Sequence, residues 1–240
     1  MSRSTGRKPP SRKHYHHGDL KNALIRAGAE ILATEGAAAL TLRRAAQRAG
    51  VSHSAPYAHF ADKHALVAAI STEGLRTLDG RIADAMARHG DDPLRRIAEM
   101  AWATVRFALE QPDQYRVTFS SVIEEESAYP DYVETAHQSF DALVQAVRSG
   151  QEAGAIPPGP ADVTAVGLWS LVHGFASLLV NHQLPSRVVS RTSARELLFC
   201  SLALHLRAPA LATGALTEER PARPARRAVT PGRVKPHPAR

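Results

Sequence analysis

The stretch from Thr41 to Lys63 constrains the fold of this chain more than any other. Thr41 is a helix-capping residue, and Gly50 readily adopts the left-handed conformation in which helices end. Between them lies an apolar stripe with helical spacing, formed by Leu42, Ala45, Ala46 and Ala49. Ser52 is placed to cap a second helix of about two turns. Two short helices joined by so tight a turn predict a helix-turn-helix, with Val51 filling the angle between them.

The second predicted helix presents polar side chains around a single apolar anchor, Phe60, which we assign to packing. The polar side chains are His53, Ser54, Tyr57 and His59. Pro56 is compatible with this helix because it falls in the first turn, where most N–H groups lack a helical partner. Short polar side chains can reach base edges in a DNA major groove about 12 Å wide. A chance helix–turn–helix in a helical domain is the alternative that this segment alone leaves open.

Positive charge is concentrated at the two ends of the chain. Residues 1–66 carry 11 Lys or Arg against 4 acidic residues, and residues 208–240 carry 7 against 2. Residues 67–207 carry 12 basic and 17 acidic residues. Because attraction to phosphate scales with the local number of cations, this segregation favours a nucleic-acid partner. The basic arm at residues 3–13 either lies along the minor groove or backbone of DNA or is a solvated, disordered leader. The Pro- and Arg-rich tail is predicted to be disordered.

Apolar periodicity predicts helices almost throughout the rest of the chain. The predicted segments are 62–88, one from 93, a short one from 112, one ending near 149, 161–182 and 193–206, with an irregular stretch at 124–130 and a loop at 150–160. The segment 161–182 is apolar around more than one face and therefore needs cover on all sides. A second copy of the same surface is the simplest way to cover this helix. The pattern therefore predicts a two-fold dimer interface of four helices, the last two of each subunit.

The sequence lacks the signatures of several other protein classes. It has neither a long unbroken apolar run nor an apolar signal core, so no membrane segment is predicted. Its one cysteine, Cys200, suits the cytoplasm, and apolar flanks predict a buried, inert thiol rather than a redox sensor. His14, His16 and His17 lack a fourth ligand, so no metal is expected. Without a phosphate loop or a nucleophile elbow, neither an enzyme nor a bound cofactor is predicted.

The region from His16 to about Leu66 resembles the N-terminal domain of the TetR family of bacterial transcriptional regulators. The matching motifs are a first helix at 19–35 followed by Gly36, Thr41-Leu42-Arg43, Ala49-Gly50-Val51-Ser52, and Tyr57-Ala58-His59-Phe60-Ala61-Asp62-Lys63. This match covers about a quarter of the chain. Trp169, His173 and Gly174 also resemble a Trp…His-Gly pattern in the regulatory domain of one TetR subgroup, and the leader at 15–20 fits the same subgroup.

The resemblance implies an all-α protein in four parts. They are a basic arm at 1–17, an N-terminal three-helix helix-turn-helix domain at 18–65, a C-terminal helical regulatory and dimerisation domain at 66–207, and the basic tail at 208–240. It implies a homodimer on double-stranded DNA, at a near-palindromic operator whose two half-sites lie about 34–36 Å or a multiple apart. Such a protein usually represses transcription until a small-molecule effector, unknown here, binds. A non-specific architectural DNA-binding protein is the alternative that the basic tail favours.

The resemblance also implies roles for particular residues. By motif position, base-edge contacts fall to Arg43, Ser54, Tyr57 and His59, and phosphate contacts to Thr41, Ser52 and Lys63, while His53 suits either. The candidate effector-binding residues are Trp102, Phe107, Tyr115, Phe119, Trp169 and His173. Core packing is the competing explanation for each of these six. A histidine on an apolar helix needs a polar partner, and for His173 a backbone carbonyl is expected.

Overall fold

The computed structural model describes residues 17–88, 92–119 and 126–207, and within these ranges all regular structure is helical. The predicted all-α class is therefore confirmed. Several predicted features lie outside the described residues: the arm at 1–16 with His14 and His16, Glu124 and Glu125 in the irregular stretch, and the tail at 208–240.

Nine α-helices account for most of the described part. They are α1 (His17–Glu35), α2 (Leu42–Ala49), α3 (Lys63–Ala87), α4 (Pro93–Glu110), α5 (Pro112–Thr118), α6 (Pro130–Glu152), α7 (Ala161–Val180), α8 (Ser186–Val189) and α9 (Ala194–Leu206). Three 3₁₀ turns occupy Ala37–Ala39, Ala55–Ala58 and Glu126–Ala128. Apart from α8, which the sequence did not predict, each α-helix corresponds to a predicted segment.

The second helix of the helix-turn-helix differs from the prediction. It consists only of the 3₁₀ turn Ala55–Ala58, and the Ser52 hydroxyl lies 3.2 Å from that of Ser54 instead of capping a helix. The cause is Pro56. A helix capped by Ser52 would be closed first by a bond from the N–H of residue 56 to the carbonyl of Ser52, and proline has no N–H.

The other start and stop signals are confirmed. The Thr41 hydroxyl accepts a hydrogen bond from the N–H of Arg44 at 3.1 Å, and Gly50 ends α2 in the left-handed conformation with φ 71°. Asp92 caps α4 by accepting bonds from the N–H groups of the second and third helical residues at 3.0 and 3.1 Å. Such caps satisfy N–H groups that have no partner within the helix.

The helices enclose two apolar cores, which α3 and α5 join. The head core packs α1, α2 and the start of α3 around Leu24, Ile31, Leu42, Phe60, Leu66 and Ile70. The body core lies among α3, α4, α6, α7 and α9. α5 belongs to both, because Val117 packs in the head core and Tyr115 in the body core. We refer below to these two parts as the head and the body.

The outer faces of α7 and α9 are apolar and exposed in the single chain. The large side chains are Val163, Val166, Trp169 and Leu178 on α7 and Leu204 on α9. Cys200 is exposed as well, contrary to the predicted buried thiol. Its apolar neighbours Leu198, Phe199 and Leu202 turn toward the core, whereas Cys200 shares the outer face with Leu204, four residues on.

By length and composition, α7 is the one helix in the described ranges that would be able to cross a membrane. Only 22% of its most apolar window is buried. One such helix is weak evidence for a membrane span, because packed helices of soluble proteins meet the same criteria.

Candidate DNA-binding surface and ligand cavity

The residues predicted to contact DNA lie on one segment of the head, from the start of α2 to the start of α3. Six of them are exposed: Thr41, Arg43, Ser52, His53, Ser54 and Tyr57. Tyr57 is the extreme case, since its aromatic side chain is 64% exposed although apolar surface is normally buried. Lys63 is partly buried at the start of α3. The segment therefore offers hydroxyls, imidazole and guanidinium to a partner.

The three arginines of α2 have different surroundings. Arg44 bonds to Glu35 at 2.5 Å and to the carbonyl of Ala39 at 3.1 Å, and Arg48 bonds to Glu35 at 2.9 Å and lies 3.4 Å from Glu30. The hydrogen bond from Arg44, helped by both guanidinium charges, holds the pKa of Glu35 below its usual range. Arg43 is exposed and pairs with none of the described residues. Arg44 and Arg48 thus fasten α2 to α1, and Arg43 is left available.

His59 is less accessible than the other predicted contacts. It is partly buried, its ring lies 6.3 Å from that of Phe60, and its Nε2 atom is enclosed without a hydrogen-bond partner among the described residues. Phe60 is 3% exposed, which confirms its assignment to packing. An enclosed ring nitrogen without a hydrogen-bond partner is energetically unfavourable. A ligand that forms a hydrogen bond with Nε2 would therefore stabilise His59.

The body contains a cavity of about 550 Å³, within the size range of pockets for drug-sized ligands. Of the six predicted effector-binding residues, Phe119, Trp169 and His173 line it. The others do not. Phe107 is fully buried in the body core, Trp102 packs against that core, and Tyr115 lies behind His173.

The positions of Trp102 and Phe107 around and along α4 explain why they miss the cavity. The residues of α4 that line it are Ile97, Met100, Ala101 and Thr104, spaced as one face of a helix. Trp102 lies on nearly the opposite side of the helix from this face. Phe107 lies one turn beyond its end, where it packs edge-on against Tyr115 at 6.4 Å.

His173 is held by Tyr115 and two aromatic rings. The Tyr115 hydroxyl lies 2.7 Å from Nδ1 of His173, so the polar partner is a hydroxyl and not the expected backbone carbonyl. Phe119 and Trp169 pack edge-on against the imidazole at 4.3 and 5.5 Å. Burial lowers the pKa of His173 to about 4 and raises the pKa of Tyr115 to about 12. Both groups are therefore neutral near neutral pH.

The most polar part of the cavity wall was not predicted from the sequence. Asp79 lines it and lies 2.9 and 2.8 Å, through its two oxygens, from the hydroxyl of Ser139. Burial raises the pKa of Asp79, and the bond from Ser139 opposes that shift. The signal was present: Asp79 continues the apolar face of Leu75, Leu78 and Ile82, where a carboxylate is out of place.

Within the described ranges, no group of three or more His, Cys, Asp and Glu side chains is placed to hold a metal ion. His17 begins α1, and the other two histidines of the leader cluster lie outside these ranges.

Both parts of the chain match models of protein families. The model described as bacterial regulatory proteins, tetR family, matches residues 24–70, and the model described as tetracyclin repressor-like, C-terminal domain, matches residues 97–199. Together they cover more than half of the chain. No curated protein matches this sequence.

Solved structures share the fold. A protein with unknown function from Rhodococcus sp. RHA1 is 30% identical over 82% of this chain and 98% of its own, with a TM-score of 0.69. A bacterial regulatory protein in the tetR family from Rhodococcus RHA1 is 20% identical over 79% and 96%, with a TM-score of 0.63. A TetR family transcription regulator from Marinobacter aquaeolei VT8 is 18% identical over 79% and 94%, with a TM-score of 0.62.

The subgroup suggested by Trp169, His173 and Gly174 stays a prediction. The family itself follows from the two matched domains, one on the head and one on the body, and from the fold that the chain shares with these structures. The chain belongs to the TetR family of DNA-binding transcriptional regulators.

Proposed function

We propose that this protein is a cytoplasmic, homodimeric repressor that binds a near-palindromic operator and leaves it when a small molecule occupies the cavity. The observation that carries the proposal is the position of α5. Its Tyr115 bonds to His173 in the cavity wall, and Val117, two residues on, packs in the head core. One short helix therefore contacts both functional parts. Repression, rather than activation, rests on analogy with the usual mode of the family.

Further contacts support α5 as the coupling element. The Ser71 hydroxyl of α3 donates to the carbonyl of Val117 at 3.4 Å. At Gly74 the two helices lie so close that a Cβ atom would collide with Thr118. Close packing of this kind has little room to deform continuously, so a shift of α5 moves the head. The ligand drives that shift only if it binds the released shape more tightly than the DNA-bound shape.

For the operator, we assign base-edge contacts to Arg43, Ser54, Tyr57 and His59 and phosphate contacts to Thr41, Ser52 and Lys63, with His53 in either role. Arg43 is supported by its exposure and by the lack of an ion partner among the described residues, and Tyr57 is supported by exposure alone. The assignment of His59 requires its enclosed ring to turn outward. The hydroxyl hydrogen of Thr41 is free to donate to phosphate, because the cap uses only an oxygen lone pair.

For the dimer, we assign the exposed apolar faces of α7 and α9 to a two-fold interface. The two faces adjoin, because the His205 side chain of α9 lies against Gly167 of α7, with Nε2 2.8 Å from where a Cβ atom would be. Contiguous exposed apolar surface of this kind marks an interaction site. Two heads then bind two half-sites, which joins two modest affinities into one strong one.

Footprinting of the full-length protein on its own promoter region tests the proposal. We expect one or two short protected palindromes. Tyr57→Ala should abolish this protection, whereas Arg187→Ala, an exposed cation of the body, should leave it intact. Continuous protection of the fragment would instead favour the architectural alternative, to which the 7 basic residues of the tail would contribute. TetR regulators are in general not enzymes, and the proposal contains no catalytic step.

A further inference from the structure

We infer that the effector is a lipophilic amine whose protonated nitrogen binds Asp79 in the cavity of the body. The inference rests on the proposed function, since it takes this cavity to be the effector site. Three features of the described wall carry it: a large apolar surface, a carboxylate with no counter-charge among the described residues, and the absence of Lys and Arg from the described lining.

Most of the wall is apolar, which sets the lipophilic character of the ligand. Aliphatic side chains such as Leu78, Ile97 and Leu143 surround the space of about 550 Å³. The rings of Phe119 and Trp169 complete the wall beside His173. Aromatic faces carry negative partial charge, so an ammonium group that lies over the face of either ring would be attracted to it, whereas an anion would not.

The described protein groups use little of the hydrogen-bond acceptor capacity of Asp79, which is partly buried. Its one described partner is the Ser139 hydroxyl, which also lies 3.0 Å from the carbonyl of Thr135. A serine has a single hydroxyl hydrogen, so it satisfies at most one of these acceptors at a time, and a carboxylate has about four lone-pair sites. Among the described side chains no Lys, Arg or His pairs with Asp79, and burial of such a carboxylate raises its pKa. An ammonium ligand supplies an opposite charge and several hydrogen-bond donors at once.

The remaining polar groups of the wall do not favour an anion. The hydroxyls of Thr104 and Thr118 donate to the carbonyls of Met100 and Gln114 at 3.0 and 2.8 Å, so toward the cavity they offer oxygen lone pairs. His173 stays neutral near neutral pH because burial lowers its pKa to about 4. Tyr132 and the exposed His137 complete the polar part of the wall. A carboxylate or phosphate ligand would face Asp79 with no fixed cation to balance the repulsion.

Three probes with one carbon skeleton test the charge preference: phenylbutylamine, phenylbutanol and phenylbutyrate. Binding to the full-length protein is measured by calorimetry near neutral pH, with quenching of tryptophan fluorescence as a second readout because Trp169 lines the cavity. We expect the amine to bind about 10- to 100-fold more tightly than the alcohol, the range for a hydrogen bond to a charged group. The acid should bind most weakly.

Asp79→Asn removes the charge and keeps an oxygen that can accept from Ser139. In this variant the affinity for the amine should fall to that for the alcohol, and the affinity for the alcohol should stay unchanged, which shows that the cavity is intact. Asp84→Asn makes the same change of charge on the exposed side of α3, away from the cavity, and should leave amine binding unchanged.

The inference is overturned if the amine does not bind, if the acid binds as tightly as the amine, or if Asp79→Asn and Asp84→Asn behave alike. Operator binding without ligand is measured separately. A protein that binds its operator but shows no amine preference contradicts this inference alone. A protein that binds the amine through Asp79 but ignores its promoter DNA contradicts the proposed repressor instead.

Discussion

Truncation of Leu204 to alanine should weaken the dimer strongly although it hardly affects the fold of a single chain. Leu204 is 82% exposed on the outer face of α9, so it has little internal packing to lose. Burial of a whole leucine side chain stabilises by about 1.5–3 kcal/mol. The exposed part, less the methyl group that alanine keeps, corresponds to about 1–2 kcal/mol for each subunit.

Two-fold symmetry doubles this effect, because each dimer buries two copies of Leu204. A loss of about 2–4 kcal/mol corresponds to a dissociation constant raised about 30- to 1000-fold. Sedimentation equilibrium over a range of protein concentrations measures this constant directly. Operator affinity should fall in parallel, since a single head engages only one half-site.

Leu109→Ala is the matched control. Leu109 is also exposed, by 42%, but it lies on α4, outside the faces of α7 and α9. Its truncation should leave the dimer dissociation constant unchanged. If Leu204→Ala dimerises as tightly as the natural protein, or if the natural protein stays monomeric at every concentration, the assignment of these faces to the dimer is wrong.

Three further predictions concern the head, the cavity and the thiol. Lys63→Ala should weaken operator binding equally for matched and mismatched sites, because Lys63 is assigned to a phosphate contact. The dependence of operator affinity on salt concentration should fall by the amount expected for about one phosphate contact, and a change in base preference would contradict the assignment. Because burial holds the pKa of His173 near 4 while the unfolded value is about 6.5, the unfolded state takes up the proton first as the pH falls. The free energy of unfolding should therefore drop by up to ~1.4 kcal/mol per pH unit between these values. In His173→Phe, the free energy of unfolding measured by urea denaturation should fall less steeply with decreasing pH. Cys200 should react slowly with a thiol reagent in the dimer and rapidly in dilute Leu204→Ala protein; equal rates would place it outside the interface.

Local chemistry in the sequence was sufficient to predict most helix boundaries. Thr41, Gly50 and Asp92 each act within four residues of their own position, so the relevant partners are close by in the chain. The predicted second helix at Ala55–Ala58 was wrong because the hydrogen bond that Pro56 cannot donate was taken to be one of several equivalent bonds. That bond is the one that closes the first turn of a helix capped by Ser52, and its loss leaves a 3₁₀ turn.

The cavity was harder to predict because its wall combines residues that are distant in sequence. Asp79 and Ser139 lie 60 positions apart, and Tyr115 and His173 lie 58 apart. Periodicity indicates that a side chain faces inward, but it does not say whether the inward space is filled. Phe107 and Phe119 are both inward aromatics by pattern, and only the arrangement of the helices places one in the core and the other at the cavity.

α7 connects the cavity to the proposed dimer surface within one rigid element. His173 lines the cavity, Val163 and Val166 are exposed nearer the start of the helix, and Trp169 does both, since it lines the cavity and is 47% exposed. A ligand that displaces α7 must therefore disturb the packing between subunits as well as the bond from His173 to Tyr115. The separation of the two heads would then depend on both routes, through α5 within a subunit and through α7 between subunits. If ligand binding weakens the dimer in proportion to the loss of operator affinity, the signal passes through α7 between subunits. If the ligand releases DNA while the dimer dissociation constant is unchanged, the signal passes through α5 within each subunit.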